Sequence, residues 1–577
     1  VARLRASGTG YGRAVYFRLD DGRTLVLAHL SRFAPLLEEA LIAEQDRLGS
    51  YEVDLVLPDP GPRIEEGGLL AYTGQSGAGP PHLHAEIRVD AAAAVAVNPV
   101  DEGWGMVDTE APTLDRLLLA PGAPTSRIDG GCDTVVVDLR GETPVVSLSG
   151  PVRLWVESSD RAAPGGNRLA PYELTWWVDD ERAGWVRFDR FDWHWAREAE
   201  FTFLASRARL ADERWIRLQP APGVRGDLVR GDEAGARTSR LAPGRHLLRI
   251  RAADAAGNTT ERTLVLDVEA ADPALPSGPP PAAGLQSRGP FLWWHPGGEL
   301  RSIEGTAPSG VVREQEGIPA GGAGAGVGCL GPPLPEEPGG WHLRARLADG
   351  TEEAARAVWL GPGGGVDGAP SIPVTVAIDD LLLEVPAGAA YEPLWVTVQP
   401  ETRLAPPGAQ EPELVPVTPL WRLGPWAAPL RERVEAALLP PGGEGRRGLA
   451  LCALESGSWR FVGADTSGEG VGGRLTNLED LALLRDLTPP RVAVLPVAGE
   501  ARPSIRARIT DGGVGLWASG LRMHVDGVQV IAEWDPEADL LLSHLRDDLV
   551  PGEHKVVVEA TDRVGNTSRA GAVFTVP

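Results

Sequence analysis

Residues 242–258 read APGRHLLRIRAADAAGN and residues 550–566 read VPGEHKVVVEATDRVGN. No other feature of the chain constrains its fold as strongly as this internal repeat. In each copy an alternating apolar run ends at an aspartate, Asp254 or Asp562, and passes into an Asp-x-x-Gly-Asn segment. Alternation of period two marks a strand with one buried face, and the Asp/Gly/Asn cluster closes a tight turn into the next strand. His246 matches His554, and Gly257-Asn258 matches Gly565-Asn566. Further upstream, TWWVD at 175–179 matches RMHVD at 522–526, and the two copies open alike, with DTEAP at 108–112 and DLTPP at 486–490. The pattern predicts immunoglobulin-like β-sandwiches over 108–268 and 487–577.

Composition extends this β reading to the whole chain. The 71 glycines and 52 prolines suit many short strands and turns and disfavour long helices. At 577 residues the chain is too long for one core. Residues 270–290, rich in Pro, Ala and Gly, read as a linker. Residues 291–365 read as a small β module with strands at 341–347 and 355–360, and 371–485 as another, with strands at 374–378, 394–398 and 459–462. A net charge of −25 disfavours nucleic acid and anionic membrane surfaces as partners. No apolar run approaches the roughly 20 residues that a spanning helix needs. Cys132, Cys329 and Cys452 are too sparse for a disulfide framework and are expected as buried free thiols, with a single bridge left open. The chain opens at Val1 in strand-like sequence, so it is expected to be cut from a longer protein.

The first 105 residues carry the chemistry. Val15, Phe17 and Leu19 alternate on one strand, Leu25 and Leu27 on the next, with Asp21-Gly22 at the hairpin between them. From Phe33 to about Leu48 the period becomes helical, with Phe33, Leu36, Leu37, Ala40 and Leu41 on one face and Glu38, Glu39, Glu44 and Asp46 opposite. Strands resume at 51–57 and 69–72. Then comes GQSGAGPPHLHAEIR at 74–88, where His82 and His84 stand two apart on an extended segment and so face the same way. Such a pair lets one imidazole bind a metal while the other reaches a water or substrate oxygen on it. A His-x-His pair alone is weak evidence, since two histidines on a strand are more often surface or core residues.

Its surroundings strengthen the signal. A strand ends in Ala28-His29-Leu30; a turn and Gly74-x-Ser76-Gly77 follow, then Pro81-His82-Leu83-His84 and Glu86-Ile87, closed by Asn98-Pro99. This order resembles the core of the lysostaphin-type (LytM-like) zinc metallopeptidases, over about the first hundred residues only. The resemblance implies a mainly β protein: a lysostaphin-like β-sheet peptidase domain at 1–105 followed by immunoglobulin-like and other β modules. It implies His84 as a zinc ligand, His82 as a catalytic histidine acting on zinc-bound water, and His29 as a second catalytic histidine stabilising the oxyanion. The implied reaction is Zn²⁺-dependent hydrolysis of peptide bonds in bacterial peptidoglycan, at a periplasmic, outer-envelope or extracellular location.

The sequence departs from the family pattern in two places. The family's other zinc ligands, in a His-x-x-x-Asp segment, have no counterpart, because no histidine precedes His29. Truncation before Val1 and a non-catalytic relative both account for this. Asp20 and Asp21 are conceivable substitutes, though turn aspartates more often serve the turn. The second departure is the inserted helix and strand after His29, read as a packing elaboration or as a wall of a substrate groove. Two rivals to the peptidase remain: an inactive envelope protein that binds wall or regulates an amidase, and a surface adhesion or scaffold protein. The tryptophans at 176, 177, 185, 193 and 195 are expected to pack within the sandwich. His194, His246, His295, His342, His524, His544 and His554 show no ligand spacing. The Asp-x-x-Gly-Asn segments, offering two side chains each, are read as turns and not as calcium cages.

Overall fold

The computed structural model describes the chain apart from residues 90–91, 93, 106, 163–165, 222, 227–228, 231–240, 271–283, 317, 320–325, 332–336, 362–372, 443–444 and 498. Strands take 52% of the described residues and helices 6%, so the fold is mainly β. Among the described residues, no helix is long and apolar enough to cross a membrane.

The N-terminal module is an antiparallel sheet built from β1 (Arg3–Ala6), β2 (Arg13–Arg18), β3 (Thr24–Phe33), β4 (Val53–Val56), β5 (Ala71–Thr73), β6 (His84–Arg88) and β7 (Val95–Val97). Its order is β7-β6-β3-β2-β1-β4, with β5 pairing the far end of β3. The helix α1 (Pro35–Leu48) starts at a proline and stops at Gly49, whose φ of 62° suits a residue without Cβ. Leu37 and Leu41 of α1 join Leu4, Val15, Leu30 and Phe33 in the core. Two details of the helical face differ from the sequence reading. Leu36 is 61% exposed. Glu38, placed outward by periodicity, turns back to accept from the Phe33 amide at 2.9 Å and to pair with Arg13. A carboxylate in the first turn meets unsatisfied amides there, which outweighs its helical phase.

The two repeat regions fold as paired sheets. In the first, Leu119, Leu154, Val156, Trp176, Ile250 and Leu266 share a core between a four-stranded and a seven-stranded sheet. In the second, Ile509, Met523, Val525, Val556, Val558 and Phe574 do so between two four-stranded sheets. The matched strands pair in matching ways: Val178 lies opposite Leu248, and Val525 opposite Val556.

The middle of the chain differs from the expected division at 365/371. The strand Glu352–Leu360 pairs with Leu394–Leu404 inside one ten-stranded sheet, so 291–365 and 371–485 share a sheet. Trp359 and Trp395 supply the reason. They stand opposite each other, are 0% and 1% exposed, and their rings lie 5.0 Å apart. Of the expected linker, 271–283 lies outside the described residues, while Gly284–Ser287 forms a strand. All three cysteines are free and buried, with Cys132 and Cys329 in one cluster with Phe291 and Trp293.

The N-terminal module is held from two sides. The strand Arg190–Asp192 of the first sandwich extends its sheet by pairing with β7. From the last sandwich, His544 stacks on Tyr51 at 5.2 Å, and Arg546 reaches Asp46 at 3.1 Å and Gln45 at 2.7 Å.

Candidate functional site

Strand periodicity and a bulge assemble the site. In the register of β3 against β6, Thr24, Val26 and Ala28 stand opposite Arg88, Glu86 and His84, which therefore share one face of the sheet. Beyond Ala28 the pairing with β2 slips between Arg13 and Val15. His29 sits in that irregularity with φ 57°, a left-handed conformation that few residues with a Cβ adopt. Its amide donates to the Tyr11 carbonyl at 3.0 Å, and its ring is 6% exposed.

The glycine loop closes over this bulge. Gly77, at φ +91°, lies so close to the Gly10–Gly12 turn that a Cβ there would sit 2.3 Å from the Gly10 carbonyl oxygen. Between the two loops the Ser76 hydroxyl donates to the Leu30 carbonyl at 2.7 Å and accepts from the Arg13 amide at 2.8 Å. The Ser76 carbonyl lies 2.8 Å from His29 Nδ1. His82 stands at the rim, with its Nδ1 2.7 Å from the Pro80 carbonyl.

All three predicted histidines come together. The His29 ring lies 4.4 Å from that of His82 and 5.6 Å from that of His84. A carbonyl only accepts, so Nδ1 of both His29 and His82 carries the hydrogen. Their Nε2 atoms are then the basic nitrogens when the rings are neutral. His84 is held differently, with Nε2 2.6 Å from Glu86 Oε1.

Glu86 organises the rest of the face. Its other oxygen lies 2.8 Å from Arg88 Nη2 and accepts from Trp193 Nε1 at 3.3 Å, and Tyr11 donates its hydroxyl to Oε1. Burial acts to raise the Glu86 carboxyl, but hydrogen bonds from His84 and Tyr11 and the charge of Arg88 outweigh it and hold it at about 2. Tyr11 also packs against the His84 ring at 5.1 Å.

No family model matches this chain. No curated protein matches it either. Among solved structures, a tetra-tandem repeat from the extending region of a large adhesion protein aligns at 12% identity over 75% of this chain and 99% of that one, with a TM-score of 0.14. A Salmonella α-2-macroglobulin mutant aligns at 11% identity over 100% of this chain and 45% of that one, with a TM-score of 0.10.

The donor set can be compared with what zinc needs. Hydrolytic zinc sites take three protein donors and a water. Among the described residues, no group of three histidine, cysteine or carboxylate donors gathers at His29, His82 and His84; the groups that do gather are all aspartate and lie elsewhere. Asp20 and Asp21 belong to no such group among the described residues; Asp21 accepts from the Arg23 amide at 3.0 Å, and Asp20 lies 3.4 Å from Arg63. His84, the ligand that the sequence resemblance implies, is not joined by two further donors, and the residues present do not complete a zinc site.

Sequence reasoning missed Tyr11, Glu86, Arg88 and Trp193. Glu86 and Arg88 were within reach of the strand period that singled out His84. Tyr11 and Trp193 were not, standing 75 and 107 residues from the carboxylate they contact.

Proposed function

We propose that the N-terminal module is the core of a lysostaphin-type zinc metalloendopeptidase acting on peptidoglycan peptides at the cell envelope. The convergence of three imidazole rings carries this reading, two of them fixed through Nδ1 by backbone carbonyls. His29 and His82 each keep Nε2 available for proton exchange with a bound peptide, and the glycine loop offers backbone close by. His84 is the zinc ligand this chain provides. Zinc-dependent hydrolysis would require two further donors beside it.

The incomplete donor set also favours a second reading, a non-catalytic module that binds wall peptides or regulates an amidase. Release of soluble peptides from purified peptidoglycan by the natural gene product separates the two. Peptidase activity lost in both His82→Ala and His84→Ala, with unchanged circular dichroism, supports the enzyme. Equal release by all three forms overturns it. Binding without release, weakened by His82→Ala, supports the second reading.

A further inference from the structure

The two acidic groups found apart from the histidines occupy matching places in the two repeats. One carboxylate oxygen from each of Asp108, Asp160 and Asp254 lies within 4.8 Å of the others, and the same holds for Asp486, Asp511 and Asp562. Asp108 and Asp486 open their sandwiches, and Asp254 and Asp562 begin the Asp-x-x-Gly-Asn turns. The surrounding bonds repeat as well. Asn258 Nδ2 donates to Asp254 Oδ2 at 2.7 Å and to the Asp108 carbonyl at 3.2 Å. Asn566 Nδ2 donates to Asp562 Oδ2 at 2.7 Å and to the Asp486 carbonyl at 3.1 Å.

Each group contains an oxygen that the fold leaves unsatisfied. Asp160 is only 8% exposed, and its Oδ1 is sealed from solvent with no hydrogen-bond partner among the described residues. Asp511 Oδ1 is likewise sealed and unpartnered, while its Oδ2 accepts from the Gly515 amide at 2.7 Å and the Gly513 amide at 3.3 Å. Burying an unpaired carboxylate oxygen beside two other carboxylates is costly without a compensating charge. The same arrangement occurs twice on different flanking sequence, so chance placement of surface acids does not account for it.

We infer that each sandwich binds a calcium ion, one at Asp108, Asp160 and Asp254 and one at Asp486, Asp511 and Asp562. The donors are all oxygen, the set that hard cations take, and the flexible geometry of calcium accepts water for the remaining positions. Asp108 follows Asn98-Pro99, which closes the N-terminal module; the Asp486 amide donates to the Gly448 carbonyl of the middle region at 2.8 Å. Both ions therefore sit where a sandwich meets the module before it, and binding stiffens those junctions.

The inference is independent of the peptidase reading. Calcium chloride titrated into the EDTA-treated full chain in a calorimeter is expected to show two equivalents, with affinity in the range of extracellular modules, roughly 10⁻⁴–10⁻³ M. Asp160→Asn and Asp511→Asn should each remove one equivalent, while His84→Ala should keep both. Limited proteolysis of the wild-type chain, with and without calcium, needs no variant to fold; calcium should slow cleavage near residues 98–108 and 485–490. No calcium heat, a stoichiometry unchanged in both aspartate variants, unaltered proteolysis, or equal protection by magnesium would overturn the assignment.

Discussion

At the scale of single residues, the consequential positions are those where local preference gives way to a long-range partner. His29 holds a left-handed backbone in the middle of a strand, and that departure turns its ring toward His82 and His84. Gly77 is held by a similar constraint. Gly77→Ala combines a disfavoured φ with a collision against Gly10, so it should lower the unfolding free energy by about 1–3 kcal/mol, measurable by urea titration. Glu392 joins the first sandwich to the middle region, 2.6 Å from Arg217 and 3.1 Å from Arg153, whose side chains are 6% and 18% exposed. Glu392→Ala would strand two covered guanidinium groups, and a loss of about 3–5 kcal/mol is expected in the same titration. Glu392→Gln, which keeps one acceptor, should cost less; equal costs for the two would show that the charge is irrelevant.

At the scale of elements, period-two alternation was the most informative signal in the sequence. It placed His84 on a strand and matched the sandwich hairpins, because a strand with one buried face must alternate. The helical period erred for Leu36 and Glu38 of α1, where the helix end and Arg13 override the periodic face. It also left unexplained the matched pair His246 and His554. Each ties a strand to the aspartate ending its neighbour: His246 Nδ1 lies 2.5 Å from Asp179, and His554 Nδ1 lies 2.6 Å from Asp526. The opposite ring nitrogens lie 2.8 Å from the Ala242 carbonyl and 2.7 Å from that of Val550. Hydrogen bonds to Asp179 and Asp526, then to these carbonyls, raise both histidines above their ordinary value of 6.5. A raised histidine stabilises the fold fully below its unfolded pKa and loses that contribution as pH climbs through the folded one. The melting temperature should therefore fall as pH rises above 6.5, and the double variant His246→Gln/His554→Gln should flatten that slope. An unchanged slope in the double variant would assign the pH dependence to other groups.

At the scale of the whole molecule, what the sequence conceals is which distant segments meet. The order of motifs around His29, His82 and His84 is local and could be read directly, whereas the contacts that enclose them come from other modules. Trp193 was expected to pack within its own sandwich, yet it reaches Glu86, carried there by the strand Arg190–Asp192. From the opposite end of the chain, Glu537 accepts from the Gly79 amide, 3.2 Å from each carboxylate oxygen and 458 residues away in sequence. No periodicity encodes such a meeting, because it depends on how the last sandwich docks through Tyr51–His544 and Arg546. If that docking holds the glycine loop in place beside His82, Glu537→Ala should raise amide hydrogen exchange in a peptide spanning 74–83. Protection in the core strands of both modules should stay unchanged, since the side chain lies at a surface turn. Exchange rising equally across the N-terminal module would mean that Glu537 serves the whole interface, and no change at all would mean that the loop is held from within by Ser76 and Gly77.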